Sequence, residues 1–171
     1  MLRMLAVAML AAVLASCAPK DPPPKPPPPP APVAADDRGV KNPLGLSDEE
    51  WKKRLSPEEY RVCRQQGTEK PGSGALLHYK GTGTFLCVAC DRPLFDAKAK
   101  FESGTGWPSF FQPLSKEAVA ERGDFRRGLS RIEVCCATCG SHLGHVFEDG
   151  PEPTGLRYCM NSVALKIREK E

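Results

Sequence analysis

The sequence predicts a mainly β domain, its antiparallel sheets arranged as a small barrel or tent, with short helices at the N-terminal edge. Three observations carry that prediction. Beyond Gly67 the chain changes to short apolar, β-rich runs broken by glycine and proline. Just before it stand two Ser-x-x-Glu boxes, Ser47 to Glu50 and Ser56 to Glu59, which mark helix N-termini. Two C-x-x-C pairs, Cys87 with Cys90 and Cys136 with Cys139, are separated by 45 residues and suit two turns clamped together. A length of 171 residues accommodates one such domain and a tail.

The tail comes first. Residues 1–16 place Arg3 ahead of an apolar run from Met4 to Ala15, a signal-peptide layout too short for a comfortable membrane span. The tetrad Leu14-Ala15-Ser16-Cys17 resembles a bacterial lipobox. That resemblance implies a lipid on Cys17 and a membrane anchor, with Ala18 compatible with the outer membrane; an ordinary cleaved signal is the alternative. Residues 17–46 then read as a lipidated N-terminus and proline-rich linker. Proline fixes φ and removes backbone donors, so the stretch is expected to be an extended tether of ~3.1 Å per residue. The expected location is the bacterial cell envelope, facing the periplasm.

The folded domain is expected over residues 47–168, leaving 169–171 as a short tail. The capping boxes predict helices over Asp48–Leu55 and Pro57–Gln66, the second with proline at its first position and Gly67 as its stop. Leu55 and Tyr60 fall at the staple positions of the second cap. Strands are predicted at Ala75–Lys80, Thr84–Val88, Ser130–Cys135, His145–Glu148 and Arg157–Ile167, and one or two helical turns over Lys116–Arg122.

Two residues between thiolates let a tight turn aim both sulfurs at one ion, and two such turns supply four sulfurs. Cys87, Cys90, Cys136 and Cys139 therefore predict a structural, coordinatively closed Zn²⁺ site with ~2.3 Å Zn–S bonds. Gly140 favours the turn after the second pair, and Asp91 holds the matching place after the first. Cys135 could also be counted with Cys139, but Cys136 reproduces the first spacing, and neighbouring residues of a strand face opposite ways.

Four segments together resemble the peptide-methionine (R)-S-oxide reductases, also called methionine sulfoxide reductase B. They are Thr68-Glu69-Lys70-Pro71 with Gly74, Ser103-Gly104-Thr105-Gly106-Trp107-Pro108-Ser109-Phe110, Ser141-His142-Leu143-Gly144-His145-Val146-Phe147, and Arg157-Tyr158-Cys159-Met160-Asn161-Ser162. The resemblance covers about Ser47 to Ile167 and implies thiol-dependent reduction of methionine (R)-sulfoxide in peptides. It implies Cys159 as the nucleophile, passing through a sulfenic acid, with His142, His145 and Asn161 beside it. Arg157 would favour the thiolate, and Trp107 and Phe147 would bind substrate, the indole holding the S-methyl group. A lowered thiol pKa is expected for such a nucleophile. Without the resemblance, His142 and His145 read more readily as structural or surface histidines and Trp107 as core packing.

One departure matters. Many members carry cysteine where this chain has Thr105, and that cysteine resolves the sulfenic acid. Cys63, on the second predicted helix between Arg61 and Arg64, is the expected replacement, with Cys135 or an external thiol as alternatives. The expected partners are a methionine (R)-sulfoxide peptide, a thioredoxin-like reductant and, through the lipid, a membrane; the expected state is a monomer. A net charge of +3 without a concentrated basic patch argues against nucleic acid. The competing readings are a non-enzymatic zinc-ribbon binding module and a disulfide-stapled structural lipoprotein.

Overall fold

In the computed structural model the described residues are 44–128 and 130–170. The expected signal peptide, Cys17 and nearly all of the linker lie outside them. Among the described residues no helix is long and apolar enough to cross a membrane.

Two short helices open the domain, α1 (Asp48–Arg54) and α2 (Pro57–Gln65). Both capping boxes form in full: Ser47 and Ser56 accept the N–H of Glu50 and Glu59, whose carboxylates bond back to the cap N–H groups at 2.7 Å. Each cap is worth about 1 kcal/mol. Leu55 and Tyr60 are buried at the staple. The left-handed residue that ends α2 is Gln66 (φ 56°) rather than Gly67. Gly67 serves a different need, since a Cβ there would stand 2.9 Å from the Arg61 carbonyl oxygen.

Among the described residues nine strands follow: β1 (Gly83–Cys87), β2 (Pro93–Asp96), β3 (Lys100–Phe101), β4 (Ser109–Phe110), β5 (Val119–Asp124), β6 (Arg131–Cys136), β7 (His142–Phe147), β8 (Arg157–Met160) and β9 (Leu165–Glu169). They form two antiparallel sheets, ordered β2-β1-β9 and β3-β4-β8-β7-β6-β5. The sheets meet through aromatic rings: Phe95 of β2 stacks on Phe110 of β4 at 4.4 Å, and Phe85 of β1 meets Phe110 edge-on at 4.9 Å. All three rings are fully buried.

Several expectations are corrected. Ala75–Lys80 is a series of turns: Leu77 and Tyr79 donate to the carbonyls three residues back, and the Leu76 N–H goes to the Ser162 hydroxyl. Lys116–Arg122 is helical only over Lys116–Ala118, because Val119–Asp124 is claimed by β6 in a six-residue ladder. The single strand expected over Arg157–Ile167 is broken at Asn161 and a 3₁₀ turn (Ser162–Ala164), which hands the chain from one sheet to the other. The last strand also runs through Glu169, past the expected boundary at 168.

Candidate active site and metal centre

The register of the larger sheet places Cys159 of β8 between two neighbours, with Ser109 of β4 on one side and His145 of β7 on the other. Above it opens a cleft of ≈ 110 Å³ lined by Thr68, Trp107, Arg131, Gly144, His145, Phe147, Cys159 and Asn161. At ~30 Å³ per liquid water this holds a few waters or the head of one side chain, well short of an organic cofactor.

The cleft thus brings together Cys159, His145, Asn161, Trp107 and Phe147, while His142 and Arg157 stand behind it. Arg157 is buried, its guanidinium lying 4.4 Å over the Phe147 ring and donating to both Asp149 carboxylate oxygens at 2.8 and 2.9 Å. The expected lowering of the Cys159 pKa is not found. Burial pushes the thiol up, and contact with Thr105, the charge of Arg157 and the Ser109 hydroxyl pull it down without cancelling the burial.

His142 and His145 each lean on a buried carboxylate. His142 is 1% exposed, with Nδ1 2.6 Å from a Glu133 oxygen and Nε2 left without a protein partner. His145 places Nε2 2.9 Å from Asp124, and the two imidazoles meet edge-on at 5.4 Å. Burial holds the His145 imidazole below its ordinary pKa, with Asp124 working the other way. Burial also opposes ionisation of Asp124, but hydrogen bonds from Arg126 and His145 outweigh it and hold the carboxyl well below the usual range. Arg131, on the cleft wall, adds a further contact to Asp124 at 2.8 Å.

Asn161 is fixed rather than free. Its Oδ1 accepts the Glu69 N–H at 3.0 Å, and its Nδ2 donates to the Leu143 carbonyl at 2.9 Å. The Glu69 carboxylate in turn accepts the N–H groups of Ser162 and Val163, and its carbonyl accepts the Trp107 indole N–H at 3.2 Å. The wall that carries Trp107 and the strand end that carries Asn161 are therefore one hydrogen-bonded unit.

The second constellation is the cysteine cluster. The sulfurs of Cys87, Cys90, Cys136 and Cys139 all lie within 4.8 Å of one another, with Cys87–Cys139 at 3.7 Å and Cys90–Cys136 at 3.6 Å. A tetrahedron with ~2.3 Å metal–sulfur bonds has edges of about 3.8 Å, so these four sulfurs fit an ion without rearrangement. The two knuckles are built alike. Asp91 (φ 62°) and Gly140 (φ 71°) both turn left-handed, donating N–H to the carbonyls of Cys87 and Cys136. Four ligands close the coordination shell, which suits a structural role. Cys135 stays outside the cluster, fully buried on β6.

Cys63 is 0% exposed on α2, beside Cys139 and Ser141, and burial pushes its thiol up to about 12. Ser141 is four residues along the chain from His145, the partner of Cys159, a span of roughly 13 Å in extended chain. The arginines expected to activate Cys63 have other partners: Arg61 binds Glu58, and Arg64 covers the Trp51 ring at 4.6 Å and donates to the Cys139 carbonyl.

Sequence reasoning assigned no role to Asp124, Glu133, Arg131, Thr68 or Glu69. Thr68 and Glu69 lie in a quoted motif without a role of their own, and Glu133 carries a local signal as a lone charge between Ile132 and Val134 in an apolar strand.

Comparison with known proteins adds to this geometry. The SelR domain family matches residues 55–169. Proteins named "Peptide methionine sulfoxide reductase MsrB" are also similar to this chain. The one from Methanosarcina barkeri is 56% identical over 125 residues, covering 73% of this chain and 88% of its own length. The one from Leptospira interrogans is 52% identical over 127 residues, covering 74% and 97%. The one from Pseudomonas fluorescens is 56% identical over 119 residues, covering 70% and 92%.

Proposed function

Because the chain belongs to the methionine sulfoxide reductase B family and so reduces methionine sulfoxide, we propose that Cys159 is its nucleophile, acting on the R epimer within peptides. The observation that carries this reading is the placement of the Cys159 thiol at the floor of the Trp107–His145 cleft. The thiolate attacks the sulfoxide sulfur, and the oxygen passes to Cys159. Methionine leaves reduced by two electrons, and Cys159 is left as a sulfenic acid, oxidised by two. The oxygen needs a proton on the way, which His145 is positioned to deliver once protonated. Asp124 and Glu133 hold His145 and His142 in fixed tautomers, and Asn161 positions Trp107 through Glu69. The indole offers an apolar face for the S-methyl group.

In the cysteine cluster, Cys87, Cys90, Cys136 and Cys139 would hold a structural Zn²⁺, which ties the β1–β2 and β6–β7 turns together and supplies no chemistry to the cleft.

Recycling requires a second thiol to attack the sulfenic sulfur, forming a disulfide and releasing water. Cys63 is the candidate within the chain, and its burial against Cys139 means that α2 must open for it to reach Cys159. That burial favours a second route, direct attack by a small or protein thiol entering the cleft, with a thioredoxin-like donor as the reductant. The lipobox-like Cys17 and the proline-rich tether support an envelope-facing, membrane-anchored monomer that repairs oxidised neighbours. Mass spectrometry after one equivalent of R-sulfoxide peptide tests the chemistry. We expect one methionine and a sulfenic acid or disulfide at Cys159; turnover by Cys159→Ser at the wild-type rate overturns the assignment. Unchanged multiple turnover by Cys63→Ser selects the external thiol.

A further inference from the structure

We propose that Thr105, backed by Ser103 and Ser109, is a catalytic hydrogen-bond donor to the ionised sulfur of Cys159, and that the three hydroxyls form a chain whose direction reverses when the thiol ionises. This deepens the reading of Cys159 as nucleophile and rests on it.

The geometry is continuous. Thr105 Oγ1 lies 3.8 Å from Cys159 Sγ, Ser103 Oγ 2.8 Å from Thr105 Oγ1, and Ser109 Oγ 2.7 Å from Ser103 Oγ. Ser109 has a terminal acceptor in the Trp107 carbonyl at 3.2 Å. The turn that delivers Thr105 is built for it. Gly104 and Gly106 on either side adopt φ +72° and +90°, and a Cβ on Gly106 would stand 2.8 Å from Pro71 and 3.0 Å from the Gly72 nitrogen.

A hydroxyl has one proton to give, so the chain admits two orders. With a neutral thiol, S–H points to Thr105, Thr105 to Ser103, Ser103 to Ser109, and Ser109 to the Trp107 carbonyl. With a thiolate, every hydroxyl turns round: Ser109 donates to Ser103, Ser103 to Thr105, and Thr105 to the sulfur. Both orders keep the three links from the sulfur to Ser109, and only the Ser109 bond to the Trp107 carbonyl is given up in the second, so the reversal needs only rotations about C–O bonds. The thiol proton itself leaves to water or to a base in the cleft; the chain supplies a donor, not a route.

The need for such a donor follows from the surroundings. Charged groups facing Cys159 are Arg157 on its own strand, shared between Asp149 and the sulfur, His145 across on β7 with Asp124 behind it, and Arg131 on the cleft wall. From β4 comes only Ser109, and from the 68–76 loop Thr68. Against the burial that pushes the thiol up, the Thr105 hydroxyl is the largest single opposing contact, with Arg157 acting through both its charge and a hydrogen bond and Ser109 adding its hydroxyl. Thr105 therefore supplies a group that stabilises the Cys159 sulfur as an anion.

The test follows the pH dependence of Cys159 alkylation by iodoacetamide, read by peptide mapping at Cys159 without sulfoxide present. Thr105→Val should move the midpoint up by about one unit and slow alkylation about tenfold at fixed pH below it. Thr105→Ser should keep the wild-type midpoint, and Ser103→Ala should move it up by less. An unchanged midpoint in Thr105→Val, or equal shifts in Thr105→Val and Thr105→Ser, overturns the proposal. Should Thr105→Val not fold, Ser103→Ala decides alone, an upward shift supporting the chain and an unchanged midpoint overturning it. Loss of the nucleophile assignment would appear separately, as methionine formation by Cys159→Ser, whatever the alkylation profile.

Discussion

Gly144 is the tightest point of the site, and Gly144→Ala measures how precisely Cys159 must be held. Gly144 lies in β7 opposite Met160, where a Cβ would stand 2.1 Å from the Cys159 carbonyl oxygen, 2.9 Å from Met160 Cα and 3.0 Å from the Cys159 carbonyl carbon. All three are backbone atoms, so no side chain can rotate away. Restoring an ordinary contact of 3.4 Å means parting β7 from β8 by about 1.3 Å at the nucleophile. Overpacking of this kind costs about 1–3 kcal/mol, and for a domain of this size each kcal/mol lowers the thermal midpoint by roughly 3–6 °C. A misplacement near 1 Å costs about 100-fold in rate. The assay is single-turnover formation of methionine from an R-sulfoxide peptide, well below the melting transition, alongside the transition itself. Wild-type turnover with a depressed midpoint would refute the reasoning about the nucleophile while leaving the packing argument intact. Wild-type values for both would refute the two together.

Metal removal by a strong chelator should lower the thermal midpoint sharply, with recovery on adding Zn²⁺, since the site joins turns distant in sequence; an unchanged midpoint with metal absent by elemental analysis counts against a structural ion. Asp124→Asn removes the carboxylate that supports the His145 imidazolium, so the His145 NMR titration midpoint should fall, and a rise would contradict the assigned contact. The same change has a stability signature. A carboxyl held below its unfolded value contributes stability above about pH 3.9, lost as pH falls through the folded value, so Asp124→Asn should be less stable than wild type at neutral pH and converge with it in acid. Thr105→Cys places a second sulfur where an oxygen now lies 3.8 Å from Cys159 Sγ, and one equivalent of sulfoxide should then yield a disulfide between the introduced thiol and Cys159 by peptide mapping. Its absence would show that the 103–106 turn cannot bring the sulfurs to bonding distance.

What was legible in the sequence was local. A capping box needs only four residues to declare itself, and both formed as read. The paired knuckles needed only their spacing, and their sulfurs converge. The failures are tertiary. Lys116 to Arg122 is rich in helix formers, yet the ladder with β6 overrides that propensity. Lys100–Phe101 and Ser109–Phe110 are strands of two residues, too short for any periodicity to register. Ala75–Lys80 has a strand composition, but its backbone is taken up by turns and by Ser162, a partner 86 residues from Leu76. In the site, the cleft-lining side chains other than Arg131 came with their motifs. The carboxylates behind the histidines did not, because Asp124 and Glu133 acquire meaning only once β5, β6 and β7 lie side by side.

The clasp around Glu69 bears on when this protein can first work. Its contacts to Asn161, Ser162 and Val163 join residues 92 to 94 positions apart. A chain emerging from the ribosome has made the helices, the Trp107 turn and both knuckles before any of those three partners exist. The wall that holds Trp107 stays unfastened until then, as does the β1 edge awaiting β9. The clasp can be completed only after Val163 has been made. Cys159 itself arrives only four residues before the last of these fasteners, so the thiol and the wall that shapes its cleft are completed almost together.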